Sequence, residues 1–108
     1  MKGTPGFGNI MKQAKRIQEE IEHAQAEIAE MRVEASAGGG MVTATVTGQG
    51  ELANLKIERE VVDPDDVEML ADLIIAAVQE AQSNAKEAAR QKLGPLAQGL
   101  GLPGMLPG

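Results

Sequence analysis

The spacing of apolar residues divides the chain into a long helix, a group of short strands and a second long helix. Between Ile10 and Met31 the apolar residues are separated alternately by four and three positions, which is the a/d heptad of a helix that packs against another helix. The members of this heptad are Ile10, Ala14, Ile17, Ile21, Ala24, Ile28 and Met31. We therefore predict a first helix over residues 10–32, with Asn9 as its N-cap.

After this helix the apolar spacing shortens to two. Residues 33–37 have an extended pattern, the glycines at 38–40 interrupt it, and in residues 41–48 valine and alanine alternate with threonine. A turn signal at residues 48–50 is followed by residues 53–57, which alternate in the same way. The pattern predicts a three-stranded antiparallel meander with one buried and one solvated face.

The segment Asp63-Pro64-Asp65-Asp66 is typical of a helix start, because acidic side chains cap free backbone N–H groups and proline fits the first turn. We predict Asp63 as the N-cap of the second helix. Apolar residues then recur at helical spacing until Gly94-Pro95, which predicts the helix end. The expected fold class is therefore α+β, with the order α-β-β-β-α.

Composition favours one small domain that forms a homodimer. The 108 residues include one Phe and neither Trp nor Tyr, so the core is aliphatic and thin. A thin core leaves the apolar stripes of long helices partly uncovered, and a second copy would cover them. We expect a flexible N-terminal arm over residues 1–8, a domain over residues 9–93 and a flexible Gly/Pro-rich tail over residues 94–108. The residues expected to form core or dimer contacts are Ile17, Ile21, Ile28, Met31, Leu70 and Ile74.

Several classes of site have no residues to support them. The chain has no Cys, which excludes disulfides, thiolate nucleophiles and Cys-ligated metals. His23 is the single histidine, and it has no Cys or Ser beside it with which to form a catalytic or zinc site. No apolar run has the length of a signal peptide or a membrane span. We therefore expect a cytoplasmic protein that is not an enzyme, needs no cofactor or metal and does not enter a membrane.

Charge is distributed unevenly along the chain. The net charge of −6 argues against nucleic acid as a partner, since neutralising phosphates requires clustered Lys and Arg. Residues 1–16, however, contain four cations and no acidic residue. These cations are Lys2, Lys12, Lys15 and Arg16.

The last three of these cations project from one face of the predicted first helix, because they are three and four residues apart. From spacing alone, this face is either a contact for duplex phosphates or an ordinary solvated surface. Cations so close to a helix start oppose the helix dipole, which favours an external anionic partner. Because Phe7 is the single aromatic residue, contact with the duplex backbone is expected rather than base stacking. A second basic group, whose position the dipole of the second helix also explains, consists of Lys86, Arg90 and Lys92.

Four segments carry a resemblance to a known family. They are GNIMKQA at residues 8–14, the glycine-punctuated strands at residues 48–57, MLADLIIAA at residues 69–77 and the Pro-Gly-rich tail. Over nearly its whole length, the chain resembles the YbaB/EbfC nucleoid-associated proteins of bacteria. The resemblance implies a homodimer with projecting helices that binds double-stranded DNA with low or relaxed sequence specificity, is located in the nucleoid and has no catalytic activity. Effects on nucleoid organisation, gene expression or DNA repair would follow from such binding.

Two other functions remain open at the level of the sequence. The first is a protein-binding adaptor or holdase-like clamp without direct DNA binding, since exposed heptads and a Leu/Met-bearing tail also suit apolar clients. The acidic composition of the chain agrees with that alternative. The second is an accessory protein that contacts DNA only through a recombination or repair protein partner.

Overall fold

A computed structural model describes residues 5–99. In this part of the chain a long helix is followed by three strands, a short 3₁₀ helix at Arg59–Val61 and a second long helix, which confirms the predicted α-β-β-β-α order. The helices and strands are α1 (Pro5–Glu30), β1 (Arg32–Ala37), β2 (Val42–Thr47), β3 (Leu52–Ile57) and α2 (Val67–Gly99). Within residues 5–99, neither helix has the length and apolar character needed to cross a membrane.

The three strands form an antiparallel sheet in the order β1-β2-β3. On the central strand, Val42, Ala44 and Val46 are fully buried, while the intervening threonines lie on the opposite face. A β-bulge in β3 shifts the register between Thr45 and Val46, so that Val46 pairs with Leu52. The simple alternation predicted for residues 53–57 therefore changes at the start of β3, where Leu52 lies opposite the buried Val46.

Helix α2 packs across β1 and β2. Ala77, Ala81 and Ala85 are fully buried in this contact, because their small side chains allow the helix backbone to approach the sheet closely. Leu70 and Ile74 pack around the same core and are partly buried. Strand β3 extends beyond the area that α2 covers, so the core is confined to one side of a small sheet.

Helix α1 packs against α2 and the end of β2. Near its C-terminus Ala24 and Ile28 are buried, and the backbone N–H of Gly48 donates a hydrogen bond to the Ile28 carbonyl oxygen over 3.0 Å. The N-terminal half of α1 is different, since every residue from 6 to 16 is exposed. This half projects from the body of the protein. With the projecting helix included, the molecule is elongated, with principal extents of 80, 24 and 16 Å.

The helix starts differ from those predicted. Helix α1 already includes Pro5, the first described residue, so Asn9 lies inside the helix and is not its N-cap. The N-cap of α2 is Asp66, whose carboxylate accepts a hydrogen bond from the Met69 backbone N–H over 3.2 Å. The predicted cap, Asp63, instead closes the preceding turn by accepting a hydrogen bond from the Asp65 N–H over 2.9 Å.

The prediction that Gly94-Pro95 ends the second helix is wrong, because α2 continues to Gly99 with Pro95 inside it. A proline inside a helix removes one backbone hydrogen bond and costs about 3 kcal/mol in isolation. Here the turn that contains Pro95 lies beside α1, and Ala97 is buried two residues later. Packing between the two helices offsets the lost hydrogen bond.

Candidate nucleic-acid interface

The projecting half of α1 carries three exposed cations, Lys12, Lys15 and Arg16, which we call the basic tip. None of them forms an ion pair with another residue in the described range 5–99. All three ammonium or guanidinium groups are therefore available to an external anion. Lys2, the fourth cation predicted for this surface, lies outside the described residues.

The early start of α1 changes the electrostatics expected for this region. Because α1 already includes Pro5, Lys12 lies at least about two turns from the N-terminus of the helix. The helix dipole acts mainly within the first turn, so the unfavourable interaction expected for a start near residue 10 is largely absent. The basic tip is instead bounded on its other side by acids, since Glu19 and Glu20 begin the next turn of α1.

The second predicted group, on α2, is largely neutralised by neighbouring carboxylates. Arg90 donates two hydrogen bonds to Glu87, over 3.0 Å from Nε to Oε1 and 2.7 Å from Nη2 to Oε2. This pairing lowers the pKa of Glu87 and raises the pKa of Arg90. The Lys92 ammonium lies 3.7 Å from a carboxylate oxygen of Glu27 on α1. Lys86 alone of this group has no carboxylate partner among the described residues.

The two basic groups approach each other only at Arg16 and Lys92, which line one groove between α1 and α2 together with three glutamates, Glu19, Glu20 and Glu27. Lys92 lies beside Glu27, and the stretch of α1 from Lys12 to Glu27 is about 22 Å long at 1.5 Å per residue. Lys86 lies still closer to the sheet, beside the turn formed by residues 48–50. The basic tip is thus the one cluster of unpaired cations that the structure places together within residues 5–99.

A different side of the same helix end is apolar. Phe7, Ile10 and Met11 are 62%, 61% and 56% exposed, and together with Ala14 they form what we call the apolar stripe. At about 100° per residue, these four side chains occupy an arc of α1 that does not include the cations of the basic tip. The heptad predicted from the sequence is therefore buried at its C-terminal end and uncovered at its N-terminal end.

Sequence reasoning missed the residue that fixes the direction of α1. Gly48 was expected only to form a turn, but a Cβ atom at this position would lie 2.3 Å from the carbonyl oxygen of Ile28. Only glycine allows the two backbones to come this close. A single sequence carries no signal that separates such a glycine from an ordinary turn residue, because the contact is made between segments that are distant in the chain.

Comparison with known proteins identifies a family and a shared fold for this chain. The family model of the YbaB/EbfC DNA-binding family matches residues 2–100. A "Nucleoid-associated protein" of Rhodococcus opacus is 54% identical over 98% of this chain and 96% of that protein, and one of Alkaliphilus metalliredigens is 47% identical over 97% and 92%. An uncharacterized Helicobacter pylori protein of known crystal structure has a TM-score of 0.67 at 22% identity, over 82% of this chain and 91% of that chain, which shows the shared fold.

These matches confirm the resemblance found in the sequence and the prediction that the protein is not an enzyme, since the family is described by DNA binding. The matched residues span both helices and all three strands. The chain belongs to the YbaB/EbfC DNA-binding family.

Proposed function

We propose that the protein binds double-stranded DNA as a homodimer, through contacts between the basic tip and backbone phosphates, and with low sequence specificity. The observation that carries this proposal is the set of three exposed, unpaired cations on the projecting end of α1. Nucleoid-associated relatives support a location on the nucleoid. Effects on nucleoid organisation, gene expression or repair would be consequences of this binding.

The chemistry of the basic tip favours phosphate contact over base recognition. Lys12 and Lys15 carry compact charges on flexible stems, which bind phosphate oxygens without reading a base pattern. Arg16 is able to contact either a phosphate or a base edge, but a single such residue per helix supplies little discrimination. Low sequence specificity follows from this composition.

The apolar surface supports a homodimer. The largest fully buried side chains of the described chain are Val42 and Val46, so one protomer has a small core. Exposed apolar side chains lie on the apolar stripe and also around β3 and the start of α2. A second copy that covers the latter group would add to the core and would bring a second basic tip into the assembly.

Salt dependence gives the sharpest test. Three cations on each of two protomers would neutralise about six phosphates, and each phosphate contributes about 0.9 to the slope of log affinity against log salt. We therefore expect a slope of about −5 and a loss of roughly 10³-fold in affinity between 50 and 200 mM salt. Fluorescence anisotropy with duplexes of unrelated sequence measures the slope, and mass determination in the same buffer measures the oligomeric state.

A charge-matched pair of variants locates the contact. The double variant Lys12→Gln, Lys15→Gln should lower the slope to about −2, since four phosphate contacts of the dimer are lost. The control is Lys56→Gln, Arg59→Gln. It removes the same charge at the end of the sheet that lies away from α1, and it should leave the salt slope unchanged. Equal effects of the two double variants would contradict a contact through the basic tip. Absence of any binding at low salt would refute direct DNA binding and would favour the adaptor alternative.

A further inference from the structure

The apolar stripe on α1 belongs to a row of residues of the kind that packs against another helix. Phe7, Ile10, Ala14 and Ile17 occupy successive a and d positions of the α1 heptad, and we call these four residues the seam. Further along the same heptad the helix is packed, since Ala24 is buried. Within the seam, by contrast, Ile17 is half-buried and the other three residues are exposed. The seam therefore continues a helix interface into an exposed part of α1.

The residues that flank the seam carry no charge. The flanking positions of a coiled coil, e and g, face the partner helix and decide by their charges which partner fits. At the seam these positions are occupied by Gly6, Met11, Gln13 and Gln18. A partner with charged flanks would find no opposite charge here. A second copy of α1 brings flanks that are equally neutral, so two copies approach each other without repulsion between like charges.

The cations of the basic tip lie on the far side of the helix from the seam. At about 100° per residue, the centre of the seam and the centre of the basic tip are about 170° apart around α1. Contact along the seam therefore leaves Lys12, Lys15 and Arg16 uncovered. The basic tips of two copies paired in this way face in opposite directions.

The seam and the apolar surface proposed for the homodimer lie at opposite ends of the molecule. The Lys92 ammonium of α2 lies 3.7 Å from a Glu27 carboxylate oxygen of α1, and the two helices run antiparallel from this contact. At 1.5 Å per residue, Val67 lies about 38 Å before Lys92 along α2, and Phe7 lies about 30 Å before Glu27 along α1. A copy that covers the surface around Val67 therefore need not cover the seam.

We propose that the seam of α1 pairs with the seam of a second copy, antiparallel to it, in a contact separate from the homodimer contact around Val67. An antiparallel pair keeps the bodies of the two proteins at opposite ends. It also sets a positions opposite d positions, so that Phe7 faces Ile17 of the other copy and Ile10 faces Ala14 of the other copy. In the second of these pairs a large side chain lies over a small one, which allows the helices to approach closely.

The contact is weak, because the seam is short. It is about 15 Å long and about 10 Å wide, a footprint of roughly 150 Å² on each copy, whereas a stable interface covers about 800 Å² of each partner. Pairing therefore appears at high protein concentration or where many copies are held close together. If the basic tips bind DNA as proposed, paired copies hold two duplexes on opposite sides. This consequence rests on the proposed function, and the pairing itself does not.

Disulfide trapping tests the pairing and its direction without DNA. Because the chain has no Cys, Ile10→Cys and Ala14→Cys each introduce a single thiol. Mild oxidation of a mixture of the two variants should give more of the mixed disulfide than random collision would, since these positions face each other. In the control, Asn9→Cys replaces Ile10→Cys, and no excess is expected because Asn9 lies about 120° from the centre of the seam. A yield equal to that of the control, or disulfides mainly between identical variants, would overturn the proposal.

The native mass shows whether the pairing is separate from the homodimer contact. The disulfide-linked species should have at least twice the mass that the reduced variants have at low concentration, and an unchanged mass would contradict a separate contact. In sedimentation velocity at high concentration, Ile10→Ser should remove the rise in mass shown by the unmodified protein, and Asn9→Ser should retain it. Equal behaviour of these two variants would also overturn the pairing.

The consequence for DNA has its own test. Beads that carry one duplex should retain a second, labelled duplex in the presence of the unmodified protein. Ile10→Ser should lose this retention while binding a single duplex normally in anisotropy. Retention of both duplexes by Ile10→Ser would contradict a role of the seam in holding them together. Failure of every variant to bind a single duplex would instead refute the proposed function and leave the disulfide and mass results unaffected.

Discussion

Replacing Gly48 by alanine tests the contact that holds α1 against the sheet. The added Cβ would lie 2.3 Å from the Ile28 carbonyl oxygen and 2.7 Å from its Cγ2 atom. The first of these neighbours is helix backbone and cannot move away as a flexible side chain would. The same substitution displaces the hydrogen bond that the Gly48 N–H donates to the Ile28 carbonyl oxygen, 3.0 Å away. The backbone of Gly48 is not in the left-handed region, so the effect comes from the contact itself.

The magnitude follows from two contributions. Overpacking in a buried contact costs about 1–3 kcal/mol, and the displaced backbone hydrogen bond adds about 1 kcal/mol. We expect Gly48→Ala to lower the free energy of unfolding by about 2–4 kcal/mol, a large part of the roughly 5–15 kcal/mol typical of a domain. At about 4–8 °C per kcal/mol, the melting temperature should fall by roughly 8–32 °C.

Thermal unfolding followed by far-UV circular dichroism measures this effect, with protein concentration held fixed because oligomerisation stabilises the folded state. The matched control is Gly8→Ala, where an added Cβ meets no atom within 4 Å. This control lies inside α1, so alanine should leave stability unchanged or raise it by about 0.5–1 kcal/mol. A melting temperature of Gly48→Ala within about 2 °C of the unmodified protein would refute the close approach of β2 and α1.

Three further substitutions test separate parts of the structure. Asp66→Ala should lower the free energy of unfolding by about 1 kcal/mol through loss of the α2 N-cap, and in urea unfolding its effect should exceed that of Asp63→Ala. Val46→Ala should lower the free energy of unfolding by about 2–3 kcal/mol, because two buried carbon atoms are replaced by a cavity. The urea midpoint should fall while the dependence of the unfolding free energy on urea concentration stays constant. Because Arg90 lowers the pKa of the Glu87 carboxyl, the stabilisation from this pair is present above the ordinary glutamate pKa and is lost as the pH falls through the lowered value. An NMR titration should therefore give Glu87 a lower midpoint than in the Arg90→Gln variant, and equal midpoints would contradict the pairing.

The order of elements was predictable because each has a strong local signal. The change of apolar spacing from heptad to alternation marks the transition from α1 to the sheet, and the alanine and leucine positions of α2 follow a helical period. The helix ends were less predictable, because a tertiary contact decides them. Gly94-Pro95 is a normal stop signal, yet α2 continues through it, and in this turn Ala97 is buried while Pro95 and Leu96 lie beside α1.

The candidate site was predictable only in part. The sequence identified the basic tip, since its three cations are close together in the chain. It did not separate them from Arg90 and Lys92, because pairing with Glu87 and Glu27 depends on side-chain geometry and on contact between two helices. The difference between an available and a neutralised cation is a property of the folded chain.

Acidic residues close to the basic tip make its attraction for DNA short-ranged. Glu19 and Glu20 follow Arg16 within about one helical turn, a rise of roughly 6 Å, which is less than the Debye length of about 8 Å at physiological salt. A phosphate that approaches from a distance therefore meets opposing charges. Only direct contact with Lys12, Lys15 and Arg16 leaves a net attraction. For the proposed DNA contact, these glutamates restrict productive encounters to the end of the helix.

Neutralising these two carboxylates should consequently strengthen DNA binding. At about 0.3–0.5 kcal/mol for each exposed charge, Glu19→Gln, Glu20→Gln on both protomers should contribute roughly 1–2 kcal/mol, or about tenfold in affinity, and more at low salt. The control, Glu60→Gln, Glu68→Gln, makes the same change of net charge at the opposite end of the molecule. If net charge alone governed binding, anisotropy titrations would show equal gains for the two double variants. A gain confined to Glu19→Gln, Glu20→Gln would instead locate the contact at the projecting end of α1, because screening makes the effect of a charge depend on its distance from the phosphate.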